Sequence, residues 1–221
     1  MPQVRGIIFD VDGTLVDSND AHASSWVEAL AEAGRSVPFE KVRALIGMGG
    51  DKVLPEVAGL SDDSPEGKQI ADRRQAIFMA KYLPKIRPFP ASGELLKFLK
   101  ERGHRLVVAS SATEEELERL LTIAGADGHI EHSTSSSDAE RSKPDPDIVE
   151  AAFQTLGLRH EEVMMVGDTP YDIEAAARAG LRTIAFRTGG WDDEALGHAL
   201  AIYDGPADLL AHHGTSPLGA L

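Results

Sequence analysis

Two carboxylates, Asp10 and Asp12, follow a short apolar run near the start of the sequence. The run Ile7-Ile8-Phe9 is typical of a buried parallel strand, and residues two apart on an extended chain face the same side. Gly13 follows them, and glycine readily adopts the positive φ of a sharp turn. Two crowded carboxylates repel each other, and a divalent cation or a raised pKa relieves the repulsion. The pattern indicates an acidic site at a strand end, although an ordinary polar turn also explains so short a string.

A pair of serines, Ser110 and Ser111, follows a second apolar run, Leu106-Val107-Val108. Hydroxyl and backbone N–H groups at a turn from a strand to a helix bind phosphate oxygens. The same residues also serve as ordinary helix caps. Taken alone, this position leaves both interpretations open.

Lys143 and two further acids occupy the later part of the sequence. Pro144 and Pro146 stiffen the backbone behind Lys143, although a solvated surface lysine would look the same. Asp168 follows the apolar run Val163–Val166, and Asp172 falls in the first turn of the next predicted helix. An acid in that turn also complements the helix dipole, so Asp172 is either a helix cap or part of a site.

The elements that must position these residues change in character along the chain. Residues 16–85 read as helices without a convincing strand, and Pro88-Phe-Pro90 marks a stiff linker after them. From residue 91 onward, predicted helices and strands alternate, which predicts a parallel sheet covered on both faces. We therefore predict an α/β fold, a doubly wound parallel sheet of residues 1–15 and 86–221, with a small α-helical cap domain of residues 16–85.

Three less regular segments receive explicit predictions. Residues 128–132 are predicted as a short strand and residues 192–197 as a helix. The serine-rich stretch 132–137 is predicted as a solvated loop.

Ligands of doubly wound sheets bind beyond the carboxyl ends of the strands, which is where the predicted cap domain is inserted.

Composition restricts the partners. The net charge of −14 argues against nucleic acid and anionic membranes, which need clustered basic residues, and it makes any phosphate site a local positive spot. There is no cysteine, which removes disulfide and thiol chemistry, and no apolar run approaches the length of a membrane span. Because the first strand begins close to Met1, no signal peptide is predicted, and we expect a cytoplasmic protein.

The string Asp10-Val-Asp-Gly-Thr-Leu-Val-Asp-Ser18 resembles the first motif of the haloacid dehalogenase-like (HAD) hydrolase superfamily. The strand-ending Ser110, the Lys143-Pro144 element and the Gly167-Asp-x-x-x-Asp172 string follow in the order typical of that superfamily. The resemblance spans essentially the whole chain. It is closest to the branch of phosphoglycolate phosphatases and β-phosphoglucomutases with an α-helical cap.

The resemblance implies a mechanism and a cofactor, Mg²⁺. Asp10 would attack phosphorus to give an aspartyl phosphate, and Asp12 would protonate the leaving alcohol and later activate water. Lys143 and Ser110 would hold phosphate oxygens, with Ser111 as the next candidate. The same resemblance implies as metal ligands Asp10, the main-chain carbonyl of Asp12, Asp168 and, through water or as a support, Asp172.

The cap offers three candidate substrate-binding residues. Gly50 lies in the loop Ile46–Lys52, at a position where β-phosphoglucomutases have an arginine, which argues against mutase activity. Lys52 is a candidate for a substrate anion or an ordinary solvated lysine. We expect His22, on the first cap helix, to be half-exposed, and Trp26 to pack inside the cap.

The resemblance predicts an enzyme, an Mg²⁺-dependent phosphatase that acts on a small phosphorylated metabolite such as phosphoglycolate or a sugar phosphate. A β-phosphoglucomutase-like phosphomutase is the alternative. A non-enzymatic phospho-aspartate switch is a further alternative, because receiver domains also combine Asp, Ser/Thr and Lys. The substrate, the pathway and the oligomeric state do not follow from the sequence.

Overall fold

The computed structural model describes residues 3–219. The chain forms two compact units: the first contains the segments up to Asp17 and from Arg87 onward, and the second is Ser18–Ile86. We refer to the first as the core unit and to the second as the inserted unit.

The described residues contain six strands and nine α-helices. The strands are β1 (Gly6–Phe9), β2 (Arg105–Ala109), β3 (His132–Thr134), β4 (Val163–Gly167), β5 (Arg182–Phe186) and β6 (Ala201–Tyr203). The inserted unit contains α1 (Asn19–Glu32), α2 (Phe39–Arg43), α3 (Gly50–Ala58) and α4 (Pro65–Ile77). The core unit contains α5 (Ser92–Glu101), α6 (Glu114–Ala124), α7 (Asp147–Leu156), α8 (Pro170–Arg178) and α9 (Pro206–Ala211).

All six strands pair in parallel in the order β3-β2-β1-β4-β5-β6. Strands β1 and β4 are buried along their whole length, which their unbroken apolar sequences require. One face of the sheet packs against apolar residues of α7 and α8, and the strands β1, β2 and β4 all contribute to this contact, among other residues with Ile8, Val107 and Met165. Helix α5 packs against β2 and beside α9. The predicted doubly wound parallel sheet is confirmed.

The structure corrects the prediction for residues 128–137. Gly128 has a φ of 73° and the His129 N–H donates to the Ala126 carbonyl, so these residues form a turn and not a strand. Strand β3 begins at His132, inside the stretch predicted as a solvated loop. The Thr134 hydroxyl donates to the Val108 carbonyl (2.8 Å) and anchors this polar strand to β2.

The predicted helix at residues 192–197 is also wrong. One bond of α-helical type forms, from the Leu196 N–H to the Asp192 carbonyl (3.1 Å), and the Asp192 side chain accepts from the Ala195 N–H (2.9 Å). The next bonds, such as Ala199 N–H to Leu196, close shorter turns. One helical hydrogen bond does not offset the cost of helix nucleation, so the segment remains a series of turns.

The inserted unit has an apolar core of its own. Trp26 and Leu30 of α1 pack there with residues from each of the other three helices, and Trp26 is buried as expected. Helix α4 continues through a π-helical turn (Phe78–Tyr82) and a 3₁₀ turn (Leu83–Lys85). Within the described part of the chain, no helix combines the length and the apolar character needed to cross a membrane.

The chain leaves and re-enters the core unit at one place, which we call the neck. Val16 and Pro88 form an antiparallel bridge, and the Asp17 N–H donates to the Arg87 carbonyl (2.9 Å). The Leu15 carbonyl accepts from the N–H of Phe89 at 3.0 Å. The two segments that flank the insertion are therefore fixed to each other inside the core unit.

Candidate active site

Asp10 directly follows β1, the strand between β2 and β4. Its N–H donates to the Val166 carbonyl of β4 (2.9 Å), which extends the strand pairing by one residue, and its side chain is buried. The strand order reverses between β1 and β4, and in open α/β sheets ligands bind at such a switch point. Asp168 follows β4 at the same edge of the sheet.

A tight turn after Asp10 places the Thr14 hydroxyl between two carboxylates. The N–H groups of Thr14 and Leu15 donate to the Val11 carbonyl, and Gly13 has a φ of 78°, which favours glycine. The Thr14 Oγ1 lies 3.0 Å from Asp10 Oδ2 and 2.8 Å from Asp168 Oδ1. A hydroxyl carries one hydrogen, so it donates to one of the two carboxylates at a time.

Lys143 is a fully buried cation on the segment between β3 and α7. Its Nζ donates to Asp10 Oδ1 (2.5 Å) and to Asp172 Oδ1 (2.8 Å). The Lys143–Pro144 peptide bond is cis. Burial of a charge is tolerated when the charge is paired, and two carboxylates meet that condition here.

Asp172 is held by a capping box at the start of α8. The Thr169 hydroxyl donates to Asp172 Oδ2 (2.7 Å) and accepts from the Asp172 N–H (3.2 Å). The same Oδ2 accepts from the N–H of Thr169 (3.0 Å). One carboxylate oxygen therefore closes the helix end and the other contacts Lys143, so the two roles considered for Asp172 coexist.

The electrostatics follow from this burial. Burial raises the pKa of Asp10 to about 7, Lys143 opposes the rise, and the neighbouring Asp172 and Asp12 carboxylates add to it. Burial alone would lower the pKa of Lys143, but Asp10 and Asp172 outweigh it and raise the pKa above its usual range. The lysine therefore carries its charge throughout the physiological range.

Three buried carboxylates converge at this edge. One oxygen each of Asp10, Asp168 and Asp172 lie within 4.8 Å of one another. Carboxylate oxygens are the ligands that Mg²⁺ and Ca²⁺ prefer, and a bound cation would reduce the repulsion among the three acids. The donor set present therefore fits a hard divalent cation.

The remaining candidates of the core unit lie near strand ends. Ser110 follows β2, next to β1, is buried, and its Oγ accepts from the Ala112 N–H (3.1 Å). Ser111 is half-buried in the same turn, and Asp12 is half-buried in the turn after Asp10. Oxygens of Asp10, Asp168 and Asp172 lie within 4.8 Å of one another, and Lys143 contacts Asp10 and Asp172 directly.

His22, Gly50 and Lys52 belong to the inserted unit. The expectation that His22 is half-exposed is wrong: it is 4% exposed and stacks on Phe78 with ring centroids 4.1 Å apart. An Arg74 nitrogen lies 2.5 Å from the His22 Nδ1. The ring is therefore covered by residues that follow it by 52 or more positions in the sequence, which the helical pattern of α1 does not reveal. Gly50 begins α3, and Lys52, half-buried, lies 3.7 Å from the Asp51 carboxylate.

Sequence reasoning did not single out Thr14 and Thr169. Thr169 had a usable signal, because Thr-x-x-Asp at the start of a helix matches a capping box, in which the acid folds back onto the cap. Thr14 had none, because its contacts depend on the non-periodic turn of residues 11–16.

Comparison with known proteins agrees with this geometry. Residues 7–186 match the family described as haloacid dehalogenase-like hydrolase. A phosphoglycolate phosphatase of Aquifex aeolicus is 31% identical over 185 residues, 81% of this chain and 83% of the relative. The pyrophosphatase PpaX of Halalkalibacterium halodurans is 26% identical over 82% of both chains. The crystal structure of a hydrolase from Pseudomonas syringae superimposes with a TM-score of 0.89 at 26% identity, covering 96% of this chain and 98% of the other.

The chain belongs to the haloacid dehalogenase-like hydrolase family. It is therefore a hydrolase, and the edge of the sheet that carries Asp10 and Asp168 is its candidate active site.

Proposed function

We propose that this protein is an Mg²⁺-dependent phosphatase that hydrolyses a small phosphorylated metabolite through a phosphorylated Asp10. The observation that carries the proposal is the buried contact of Asp10 with Lys143 at 2.5 Å, beside Asp168 and Asp172. A carboxylate at a strand end, next to a fixed cation and two further acids, is suited to receive a phosphoryl group. The names of the phosphatase relatives support the same reaction.

In the first step, an Asp10 oxygen attacks phosphorus and the bond from phosphorus to the ester oxygen breaks. Asp12 gives its proton to the departing alcohol, so the leaving group is neutral. Lys143 and Ser110 hold the phosphate oxygens in this proposal, with Ser111 as a further donor. The half-buried position of Asp12 is compatible with proton exchange with solvent.

In the second step, water attacks the phosphorus of the aspartyl phosphate and the bond to Asp10 breaks. Asp12 takes the proton of the attacking water, which restores its protonated state, and inorganic phosphate leaves. Thr14 orients Asp10 through its hydroxyl, 3.0 Å from Oδ2. The carboxylate of Asp10 is thereby regenerated for another turnover.

We assign Asp10, Asp168 and the main-chain carbonyl of Asp12 as the residues that would hold Mg²⁺. Asp172 supports the site, through water or by its contact with Lys143 (2.8 Å). The ion supplies positive charge that offsets the repulsion between the Asp10 carboxylate and an anionic phosphate.

We further propose that the inserted unit acts as a cap that selects the substrate. Its insertion directly after the Asp10 turn and the occurrence of phosphoglycolate phosphatase among the relatives support this assignment. Gly50 and Lys52 are its candidate substrate contacts. Because His22 is buried between Phe78 and Arg74, its role in this proposal is to shape the cap. Phosphoglycolate is the first substrate to test.

A second candidate substrate is pyrophosphate, which the name of the PpaX relative suggests. A phosphomutase reaction on a sugar phosphate is a third, weakened by the glycine at position 50, which has no charge to hold a second phosphate. Both alternatives begin with attack by Asp10 on phosphorus. They differ in the group that leaves in the first step and in the group that accepts the phosphoryl group in the second.

The test measures hydrolysis of p-nitrophenyl phosphate with Mg²⁺ and with EDTA, for wild type, Asp10→Asn and Asp17→Asn. Asp17 is an exposed aspartate seven residues further on and is the matched control. We expect activity that requires Mg²⁺, a loss of at least about a thousandfold in Asp10→Asn, and no loss in the control. Equal rates in wild type and Asp10→Asn would contradict the proposal.

A panel of phosphoglycolate, pyrophosphate and glucose 1-phosphate then separates the substrates. Release of phosphate from phosphoglycolate with the highest kcat/KM is the expected result. Conversion of glucose 1-phosphate to its 6-phosphate without net phosphate release would favour the mutase instead.

A further inference from the structure

Gly189 ends a short 3₁₀ turn, Arg187–Gly189, that directly follows β5. Strand β5 pairs with β4, so this turn lies beside the segment that begins with Asp168. Gly189 is buried although it has no side chain to cover. Atoms of neighbouring segments therefore pack directly against the Gly189 backbone.

The nearest of these groups is the Asp168 carboxylate. A Cβ atom built on Gly189 would lie 2.3 Å from Asp168 Oδ2, 2.5 Å from the Asp168 carbonyl oxygen and 3.0 Å from Asp168 Cβ. Such distances are far below van der Waals contact, so the Gly189 backbone occupies the place directly behind Oδ2. On the other oxygen, Thr14 Oγ1 lies 2.8 Å from Oδ1. Asp168 is thus confined from two sides.

The turn that carries Gly189 is itself fixed. The Arg187 guanidinium contacts Asp193 through two bonds (2.7 and 2.9 Å) and Asp204 through a third (2.7 Å). The Gly190 N–H donates back to the Arg187 carbonyl (2.9 Å). Because the added Cβ would also lie 2.5 Å from the Asp168 carbonyl oxygen, a clash at position 189 displaces Asp168 as a whole, its carboxylate included.

We propose that Gly189 is a positioning residue: by bringing bare backbone against Asp168, it sets where Oδ2 lies and so makes the carboxylate site selective for Mg²⁺ over Ca²⁺. This inference rests on the proposed function, in which Asp168 holds the divalent cation. It concerns the place of one ligand oxygen and not the chemistry at Asp10.

The physical reason is the different tolerance of the two ions. Moving Oδ2 from 2.3 Å to the 3.4 Å of an ordinary contact with an added methyl group displaces it by about 1 Å. Mg²⁺ needs near-ideal octahedral geometry at about 2.0–2.1 Å, whereas Ca²⁺ accepts flexible geometry at about 2.3–2.6 Å. An alanine at position 189 should therefore cost Mg²⁺ more binding than Ca²⁺.

The experiment is calorimetric titration of Mg²⁺ and of Ca²⁺ into the metal-free full chain, for wild type, Gly189→Ala and Gly214→Ala. Gly214 is the matched control, because a Cβ there meets no atom within 4 Å and its φ is not in the left-handed region. We expect the Kd for Mg²⁺ to rise about 10- to 100-fold in Gly189→Ala and the Kd for Ca²⁺ to change by less than about threefold. Both constants should stay unchanged in the control.

Equal weakening of both ions in Gly189→Ala, or no weakening, would overturn the inference. If Gly189→Ala does not fold in EDTA, the concentrations of Mg²⁺ and of Ca²⁺ that restore its folding decide, because an ion that binds only the folded state stabilises it. Recovery at a lower concentration of Ca²⁺ than of Mg²⁺ supports the inference, and recovery at equal concentrations or no recovery with either ion contradicts it.

The outcome is separable from that of the proposed function. If the wild type binds Mg²⁺ but hydrolyses no phosphate ester, the proposed phosphatase function is refuted. The role of Gly189 is then still decided by the Mg²⁺ and Ca²⁺ titrations. An active wild type whose ion preference is unaffected by Gly189→Ala refutes the role of Gly189 alone.

Discussion

Lys143 is a buried cation among three buried carboxylates, and its position determines the charge balance of the candidate site. Lys143 contacts Asp10 and Asp172, whereas the Asp168 carboxylate contacts the Thr14 hydroxyl. Burial, together with the Asp172 and Asp12 carboxylates, raises the pKa of Asp10 to about 7 although Lys143 opposes the rise, and one lysine does not neutralise three ionised carboxylates. The negative charge that remains is of the size that a divalent cation would neutralise.

Thr14 allows a residue-scale prediction. Thr14→Val keeps the shape of the side chain and removes the hydroxyl that lies 3.0 Å from Asp10 and 2.8 Å from Asp168. A hydrogen bond to a charged group contributes about 1.5–3 kcal/mol, so we expect kcat/KM with p-nitrophenyl phosphate to fall about 10- to 100-fold. Steady-state kinetics at saturating Mg²⁺ measure the change.

The matched control is Thr122→Val. Thr122 is exposed on α6, and its hydroxyl donates to the Glu118 carbonyl of its own helix (3.3 Å). Its activity should equal that of wild type. If Thr14→Val also stays within about twofold of wild type, the hydroxyl does not position the carboxylates.

At the scale of elements, helix α8 couples its own N-terminus to the site. Thr169 caps the helix through Asp172, and Asp172 also contacts Lys143. A cap normally affects stability alone. Here the capping acid belongs to the site, so its loss should also affect activity.

Thr169→Ala and Ser64→Ala test this coupling as a pair. Ser64 caps α4 in the inserted unit by accepting from the Gly67 N–H (3.0 Å). Loss of either cap should destabilise the protein by about 1–2 kcal/mol, seen as a lower midpoint of thermal unfolding. We expect kcat to fall about tenfold only in Thr169→Ala, because only there is Asp172 released. Equal kcat values in the two variants would contradict the coupling.

How much of each element the sequence predicts depends on what stabilises it. Strands β1 and β4 are apolar throughout, β2 and β5 each contain an apolar run after a polar start, and the predicted positions agree with the structure. Strand β3 is polar, and its place depends on the Thr134 hydroxyl and on pairing with β2, which local periodicity does not encode.

The same distinction holds for site residues. Asp10 and Asp168 directly follow predicted strands, so topology alone suggests that they meet, and in the structure they do. Lys143 lies in a long connection after β3, where only the resemblance indicated a role, and in the structure it contacts Asp10. The close approach of Gly189 to Asp168 follows from β5 pairing with β4 and from the path of a short turn. The burial of His22 depends on α4 and the turn after it, so neither contact has a signature in the neighbouring sequence.

At the scale of the whole molecule, two buried histidines of the core unit affect stability in acid. His104 and His213 are each 4% exposed, with ring centroids 6.3 Å apart. Burial lowers the pKa of both side chains, and His213 and Arg102 lower that of His104 further, while Arg102 also lowers that of His213. The unfolded chain, with histidine pKa values near about 6.5, therefore takes up protons at a higher pH than the folded chain.

The sign of the pH dependence follows. The stability associated with neutral His104 is present above about pH 6.5 and is lost as the pH falls through the lowered folded pKa. We expect the drop in Tm between pH 7.5 and pH 5.5 to be smaller by about 3–5 °C in His104→Leu than in wild type. Differential scanning calorimetry at the two pH values measures it. The exposed His198→Leu should behave as wild type, and a wild-type slope in His104→Leu would contradict the prediction.

The neck has a consequence for how such a protein changes over evolutionary time. Asp17 and Arg87 are joined by a direct hydrogen bond, so the intervening residues attach to the sheet as a loop with already adjacent ends. A segment of almost any length closes such a gap at small entropic cost. An inserted segment of another length or sequence can therefore take the place of Ser18–Ile86 without any change in the strand order of the sheet that carries Asp10.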